Sequence, residues 1–133
     1  MPCPKIRLRD ISYHDMLFLY HLNTNPKIRQ VSHNKKKFTL SDHYNWWADK
    51  LRKKTFKANV IMLRYKVIGC IRRDRGFISI AIDPEYQGKG IGTEALKKFC
   101  RSGDKAEIFL NNQNSEKAFV KANFSPRYTT YVR

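Results

Sequence analysis

The stretch with the most chemistry in it is Gln87-Gly88-Lys89-Gly90-Ile91-Gly92-Thr93. Three glycines alternate with other residues just where a helical pattern begins, so several backbone N–H groups stand without side-chain cover. Free N–H groups of a first helical turn, helped by the positive end of the helix dipole, bind phosphate without needing a charged side chain. Lys89 would add a charge at the rim. Immediately upstream, Asp83 and Glu85 are carboxylates that could take a proton, although Asp83-Pro84-Glu85 is also an ordinary strand-ending turn. His33, in a basic stretch nearer the N-terminus, is a further candidate base because imidazole titrates near neutrality. Two phosphate-binding designs are excluded. The glycines are not followed by Lys-Ser/Thr at the spacing of a nucleotide-triphosphatase loop, and no acidic residue ends a second strand about twenty positions on, as a dinucleotide fold requires.

The segment resembles the acetyl-CoA-binding motif of the Gcn5-related N-acetyltransferase (GNAT) superfamily, Gln/Arg-x-x-Gly-x-Gly/Ala, here Gln87 to Gly92 behind a strand ending Ile82-Asp83-Pro84-Glu85. A second motif follows in order: Asn112 to Phe124 is similar to the family's later helix, Asn-x-x-Ser/Ala-x-x-x-Tyr/Phe-x-x-x-Gly-Phe. The resemblance implies an acyltransferase that moves acetyl from acetyl-CoA directly to a primary amine, without a metal. It implies cofactor contacts from the backbone of Ile80, Ala81 and Ile82, from the loop residues Gln87, Gly88, Lys89, Gly90, Ile91, Gly92 and Thr93, and from Asn112, Ser115 and Phe119. One departure matters: Phe119 stands where many members carry the tyrosine that protonates the leaving thiolate, and it has no proton to give. Tyr128, Tyr131, Ser115 or water would have to substitute. A looser similarity, in Asn25-Pro26-x-x-Arg29 and His43-x-x-Trp46, is to acetyltransferases of nucleotide-linked amino sugars. It implies acceptor contacts from Arg29, Ser32 and His33, with Lys35 to Lys37 beside them to hold a diphosphate.

These residues need a frame to hold them. Lys5 to Ile11 alternates basic and apolar residues and predicts a first strand, after which Ser12 and Asp15 cap a helix from Tyr13 to about Leu22. Residues 26–38 read as a basic loop. Thr39 and Asp42 cap a second helix on which Leu40, Tyr44, Trp47 and Leu51 share an apolar face, placing Trp47 in the core and leaving Trp46 open. Phe56–Arg64 and Lys66–Arg72 predict a hairpin, with Arg72, Arg73 and Arg75 in a solvated turn before the central strand. Ile78, Ile80 and Ile82 alternate with Ser79, Ala81 and Asp83 in that strand. Ile91, Ala95 and Phe99 share a face of the helix after the glycine loop. Lys105 to Asn111 predicts a strand, and Ser115, Ala118, Phe119 and Ala122 line one face of a last helix. Asn123 takes the place that the motif gives to glycine, which asparagine's tolerance of left-handed backbone allows.

The order predicts an α/β (mixed α+β) architecture, the GNAT fold, with a mixed, mostly antiparallel twisted sheet of about six strands flanked by about four helices. One domain over residues 1–133 accommodates it. The nine residues after Phe124 fit a single strand, which predicts an exposed edge and a homodimer formed across it. No apolar run is long enough for a membrane span and the N-terminus carries no export pattern, so a cytoplasmic protein is expected. The three cysteines, Cys3, Cys70 and Cys100, have neither disulfide nor zinc spacing. The 27 Lys and Arg against 11 Asp and Glu give a net charge of +16, which attracts anions. An anionic amine acceptor satisfies that charge. So does nucleic acid, bound by a module that has the fold without the activity, and so do the amines of aminoacyl-tRNA or protein.

Overall fold

The computed structural model describes residues 3–31 and 37–133. The described elements run β1 (Ile6–Asp10), a 3-10 turn (Tyr13–Asp15), α1 (Met16–Thr24), α2 (Pro26–Arg29), α3 (Leu40–Leu51), β2 (Phe56–Leu63), β3 (Lys66–Asp74), β4 (Phe77–Ile82), a second 3-10 turn (Pro84–Tyr86), α4 (Ile91–Phe99) and α5 (Gln113–Lys121). The strands form one sheet in the order β1-β2-β3-β4, and each neighbouring pair is antiparallel.

Period-two alternation, interrupted by a bulge at Ile68 opposite Ile61 and Met62, sends the strands' side chains to two separate cores. Ile61, Ile68, Ile71 and Ile78 pack under α4 and α5 with Ile91, Ala95, Leu96 and Phe119. Phe56, Ala58 and Cys70 pack under α1 and α3 with Met16, Leu19 and Trp47. The sheet is therefore covered on both faces, and β4 lies at its edge.

Local sequence explains most element ends. Thr39 Oγ1 accepts from Asp42 N–H at 3.1 Å and the Asp42 carboxylate accepts from Thr39 N–H at 3.0 Å, closing a capping box on α3. Asn123 adopts a φ of 73°, so the left-handed helix end falls on it as its chemistry allows. Arg64, at the tip of the β2–β3 hairpin, also has a positive φ, 56°.

Several expectations need correction. Four strands form among the described residues, where about six were expected. The segment from Lys105 to Asn111 contributes one parallel bridge, Lys105 to Phe77, because it then parts from β4 and its polar groups have no ladder to join. Its alternation is real, since Ala106 and Ile108 pack against the core under α4 and α5. No strand forms after Phe124; Pro126 lacks a donor, and the segment at 105–111 offers no ladder. Five helices form among the described residues in place of four, because the Asn25 side chain accepts from Lys27 N–H at 2.9 Å and Pro26 occupies the first helical position, turning part of the expected basic loop into α2.

On α3 the buried stripe is His43 and Trp47, while Leu40, Tyr44 and Leu51 stay exposed. His43 can be buried because its ring nitrogen is satisfied by the Met16 carbonyl at 2.9 Å. Arg72 and Arg73 lie within β3 and are not part of a solvated turn.

Candidate active site

β4 and the chain from Lys105 meet at the bridge from Phe77, where Ile78 N–H donates to the Lys105 carbonyl at 2.7 Å, and beyond it they diverge. Asp83 N–H bonds back to the Ile68 carbonyl at 2.8 Å on the β3 side. Strand parity then aims the backbone of Ser79 and Ala81 at β3, and that of Ile80 and Ile82 into the opening. The Ile82 carbonyl accepts from Gln87 Nε2 at 2.9 Å, which ties the glycine loop to the strand end. The backbone of Ile80 remains open to the cleft.

The loop itself is shaped by left-handed glycines: Gly88 at φ 77° and Gly90 at φ 80°, the latter capping α4. Among the described residues, no N–H from 88 to 93 is used in a backbone hydrogen bond. A row of free amides at the positive end of a helix is what an anionic phosphate requires. Gly92 has a different role, because a Cβ there would meet Ile82 Cδ1 at 3.4 Å and Ala118 Cβ at 3.6 Å. A single Cβ would fit in ordinary contact there, while a larger side chain would press on Ile82 and Ala118. The Asn112 side chain accepts from Ser115 N–H at 3.2 Å and starts α5 on the other bank.

These parts border one cleft of about 1260 Å³, more room than a single small ligand needs. At one end it is lined by Ile80, Ala81, Ile82, Gln87, Gly88 and Gly90, continuing through Ile91, Gly92 and Thr93. Asn112, Ser115 and Phe119 face them from α5. Twelve of the thirteen residues expected to hold the cofactor are thus brought together. Lys89 is outside the lining, with its ammonium 5.7 Å from the Tyr86 ring.

The other end lies between α2, α3 and the outer part of β3 and β4. Arg29 lines it as expected, its guanidinium 5.1 Å from the Phe38 ring centre. His43 and Trp46, the pair of the His-x-x-Trp similarity, also line it, as do two residues the sequence left without a site role, Arg72 and, toward the loop, Tyr86. Arg72 falls one strand period beyond Cys70, on the face toward α3, and this alternation was the available signal. Among the described lining residues six carry positive charge (Lys27, Arg29, Lys37, Arg72, Lys117, Lys121) against Asp42 and Glu107.

Burial holds the His43 imidazole below its ordinary value, with the Met16 hydrogen bond opposing that shift. A carbonyl only accepts, so Nε2 carries the hydrogen and Nδ1 keeps a lone pair. Burial pushes the Cys70 thiol up to about 12, which removes it as a nucleophile at neutral pH.

The expected catalytic residues are not gathered there. Asp83 and Glu85 are outside the cleft lining, and the Asp83 carboxylate accepts from Glu85 N–H at 3.0 Å as a turn cap. Tyr128 is 88% exposed in the C-terminal segment and also off the lining, as is Tyr131. His33 and Ser32, with Lys35 and Lys36, lie outside the described residues. No group of three or more His, Cys, Asp or Glu placed to hold a metal occurs among the described residues, and no described helix is long and apolar enough to cross a membrane.

The fold recurs in known structures. A spermidine N-acetyltransferase from Vibrio cholerae, in complex with CoA and spermine, superposes with a TM-score of 0.82 at 15% identity, over 92% of this chain and 82% of that one. A domain from Methanocaldococcus jannaschii gives 0.78 at 25% identity, over 95% and 92%. The AAC(6')-Ib aminoglycoside acetyltransferase, in complex with paromomycin and acetyl-CoA, gives 0.77 at 18% identity, over 95% and 86%. No curated protein matches the sequence. The family described as the acetyltransferase (GNAT) domain matches residues 5–125, nearly the whole chain, a span in which this chain has both the amide-lined loop and the bridge at Phe77. The chain therefore belongs to the acetyltransferase (GNAT) domain family.

Proposed function

We propose that this acetyltransferase moves the acetyl group of acetyl-CoA to a primary amine on an acceptor that carries negative charge, such as an amino sugar linked to a nucleotide. The observation that carries this reading is the polarity of the cleft, with free amides at one end and six cations against two acids along the described lining. The amides and the α4 dipole suit the phosphates of the cofactor. The cationic lining suits an anionic acceptor and repels polycations. Spermine and paromomycin, found with the structural neighbours, would meet like charge here.

Acetyl-CoA supplies a thioester whose carbonyl carbon accepts the amine lone pair and whose C–S bond then breaks to leave an amide and a thiolate. The open N–H of Ile80 is aimed to stabilise negative charge on the carbonyl oxygen. The charge on the acceptor is held by Arg29, with Lys27 and Lys37 beside it. Proton removal from the amine is assigned to His43, directly or through water, because it is the neutral imidazole of the described lining. Ser115 lines the cleft where a proton could return to the thiolate, whereas Tyr128 and Tyr131 do not.

An acceptor panel tests the reading: thiol release from acetyl-CoA with amino-sugar nucleotides, spermidine, a peptide N-terminus and aminoacyl-tRNA. Preference for the amino-sugar nucleotide supports it. Preference for aminoacyl-tRNA, which the +16 charge also favours, would replace it.

A further inference from the structure

We propose that Arg72 is the residue that selects the acceptor, by binding an oxyanion, carboxylate or phosphate, near the reacting amine. This rests on the acetyl-transfer reading above and names the chemistry of its acceptor end.

Adjacent arginines in β3 show what distinguishes a structural charge from one left available. Arg73 faces α4 and is closed by a two-pronged contact, Nε and Nη2 each 2.8 Å from the Asp104 carboxylate, with Nη2 also 3.1 Å from the Phe99 carbonyl. Arg72 faces the other way, pairs across the ladder with Ser79 of β4, and lines the cleft. Among the described residues its guanidinium has no hydrogen bond and no ion pair. The acid on its own strand, Asp74, is taken by Lys50 at 2.5 Å.

What Arg72 does have is orientation. Its guanidinium carbon lies 4.9 Å from the Trp46 ring centre, and Trp46 is held edge-on by Trp47 at 5.1 Å and Phe56 at 5.9 Å. A guanidinium held over an aromatic ring leaves its N–H groups available, and its planar fork can meet a carboxylate or phosphate with two hydrogen bonds. No fully buried polar side-chain atom among the described residues lacks a partner, so these unpaired N–H groups reach the open cleft. Burial disfavours the cation and lowers its pKa, so a counter-charge brought by the acceptor relieves a cost already present in the fold.

The test uses three acceptors that share one amine: glucosamine, glucosamine 6-phosphate and glucosaminuronic acid. The wild type should prefer at least one anionic member, and Arg72→Gln should lower kcat/KM for it by at least about tenfold while leaving glucosamine and the KM for acetyl-CoA near wild type. Arg72→Lys should recover part of the loss. A preference unchanged in Arg72→Gln overturns the inference. Preference for the carboxylate over the phosphate keeps Arg72 and assigns its oxyanion to a carboxylate. If the wild type acetylates none of the three, tryptophan fluorescence titrated with inorganic pyrophosphate and with malonate, at saturating coenzyme A, still reads the site. A saturable change lost in both Arg72→Gln and Trp46→Phe supports it, and a response that Arg72→Gln retains contradicts it.

Discussion

Single side chains set how this molecule responds to acid. The Asp104 carboxyl is held below its usual range by hydrogen bonds from Arg73, and Arg73 is itself buried. Its contribution is complete above the unfolded carboxyl value, about 3.9, and is lost as pH falls through the lowered native value. Removing one member of such a buried pair costs about 3–5 kcal/mol. Asp104→Ala should therefore be strongly destabilised in urea at pH 7, with the difference from wild type shrinking near pH 2. His43 acts in a higher window. Its native pKa is depressed by burial, so stability is full above the unfolded value near 6.5 and falls as pH drops below it. His43→Gln should flatten that limb of the denaturation profile, and equal slopes between pH 5 and 7 would show that the ring is not buried neutral. The same substitution should remove the acid limb of kcat/KM if the imidazole is the base. At position 119 the missing tyrosine proton is replaced by packing: Phe119 is buried and meets Phe124 edge-on at 4.9 Å. The identity of that residue was plain from the sequence, whereas the burial of His43 depends on a carbonyl 27 positions away and was not.

At the scale of elements, the strand-loop-helix unit around Gln87 uses its glycines in two ways, Gly88 and Gly90 for left-handed backbone and Gly92 for packing. Gly88 has open space around it, so Gly88→Ala should fold at a cost of about 1 kcal/mol for its left-handed backbone and act mainly on cofactor binding. Gly92→Val should lower Tm and acetyl-CoA affinity together, because its side chain would push α4 away from Ile82 and Ala118. A Gly92→Val protein with wild-type Tm would contradict the packing role. The unit was legible because its signals are local: alternation, a proline stop, free amides and a helix face. The segment at 105–111 has the same alternation yet forms one bridge, since pairing depends on whether a neighbouring strand runs alongside it. α2 was missed for the opposite reason. It is a single turn of helix, set by Asn25 and Pro26, within a stretch that carries no apolar periodicity.

For the whole molecule the governing quantity is charge. The net +16 extends into the cleft, where six cations face two acids along the described lining. Raising salt from about 50 to about 500 mM should raise KM for an anionic acceptor several-fold and change that for a neutral amine little, because screening acts on the charged encounter. The sequence order of elements implied a mixed sheet flanked by helices, and the sheet is covered on both faces; the parting of the chain from β4 after Lys105 was not legible in it. The strand count was overestimated because the run at 105–111 joins the sheet by one bridge only and residues 125–133 form no strand. The most direct measurement is acetyl-CoA turnover, read as free thiol, with an amino-sugar nucleotide and with spermidine at equal concentration. Amine-dependent thiol release that favours the amino-sugar nucleotide is the predicted result; no amine-dependent release, or a preference for spermidine, would contradict the account.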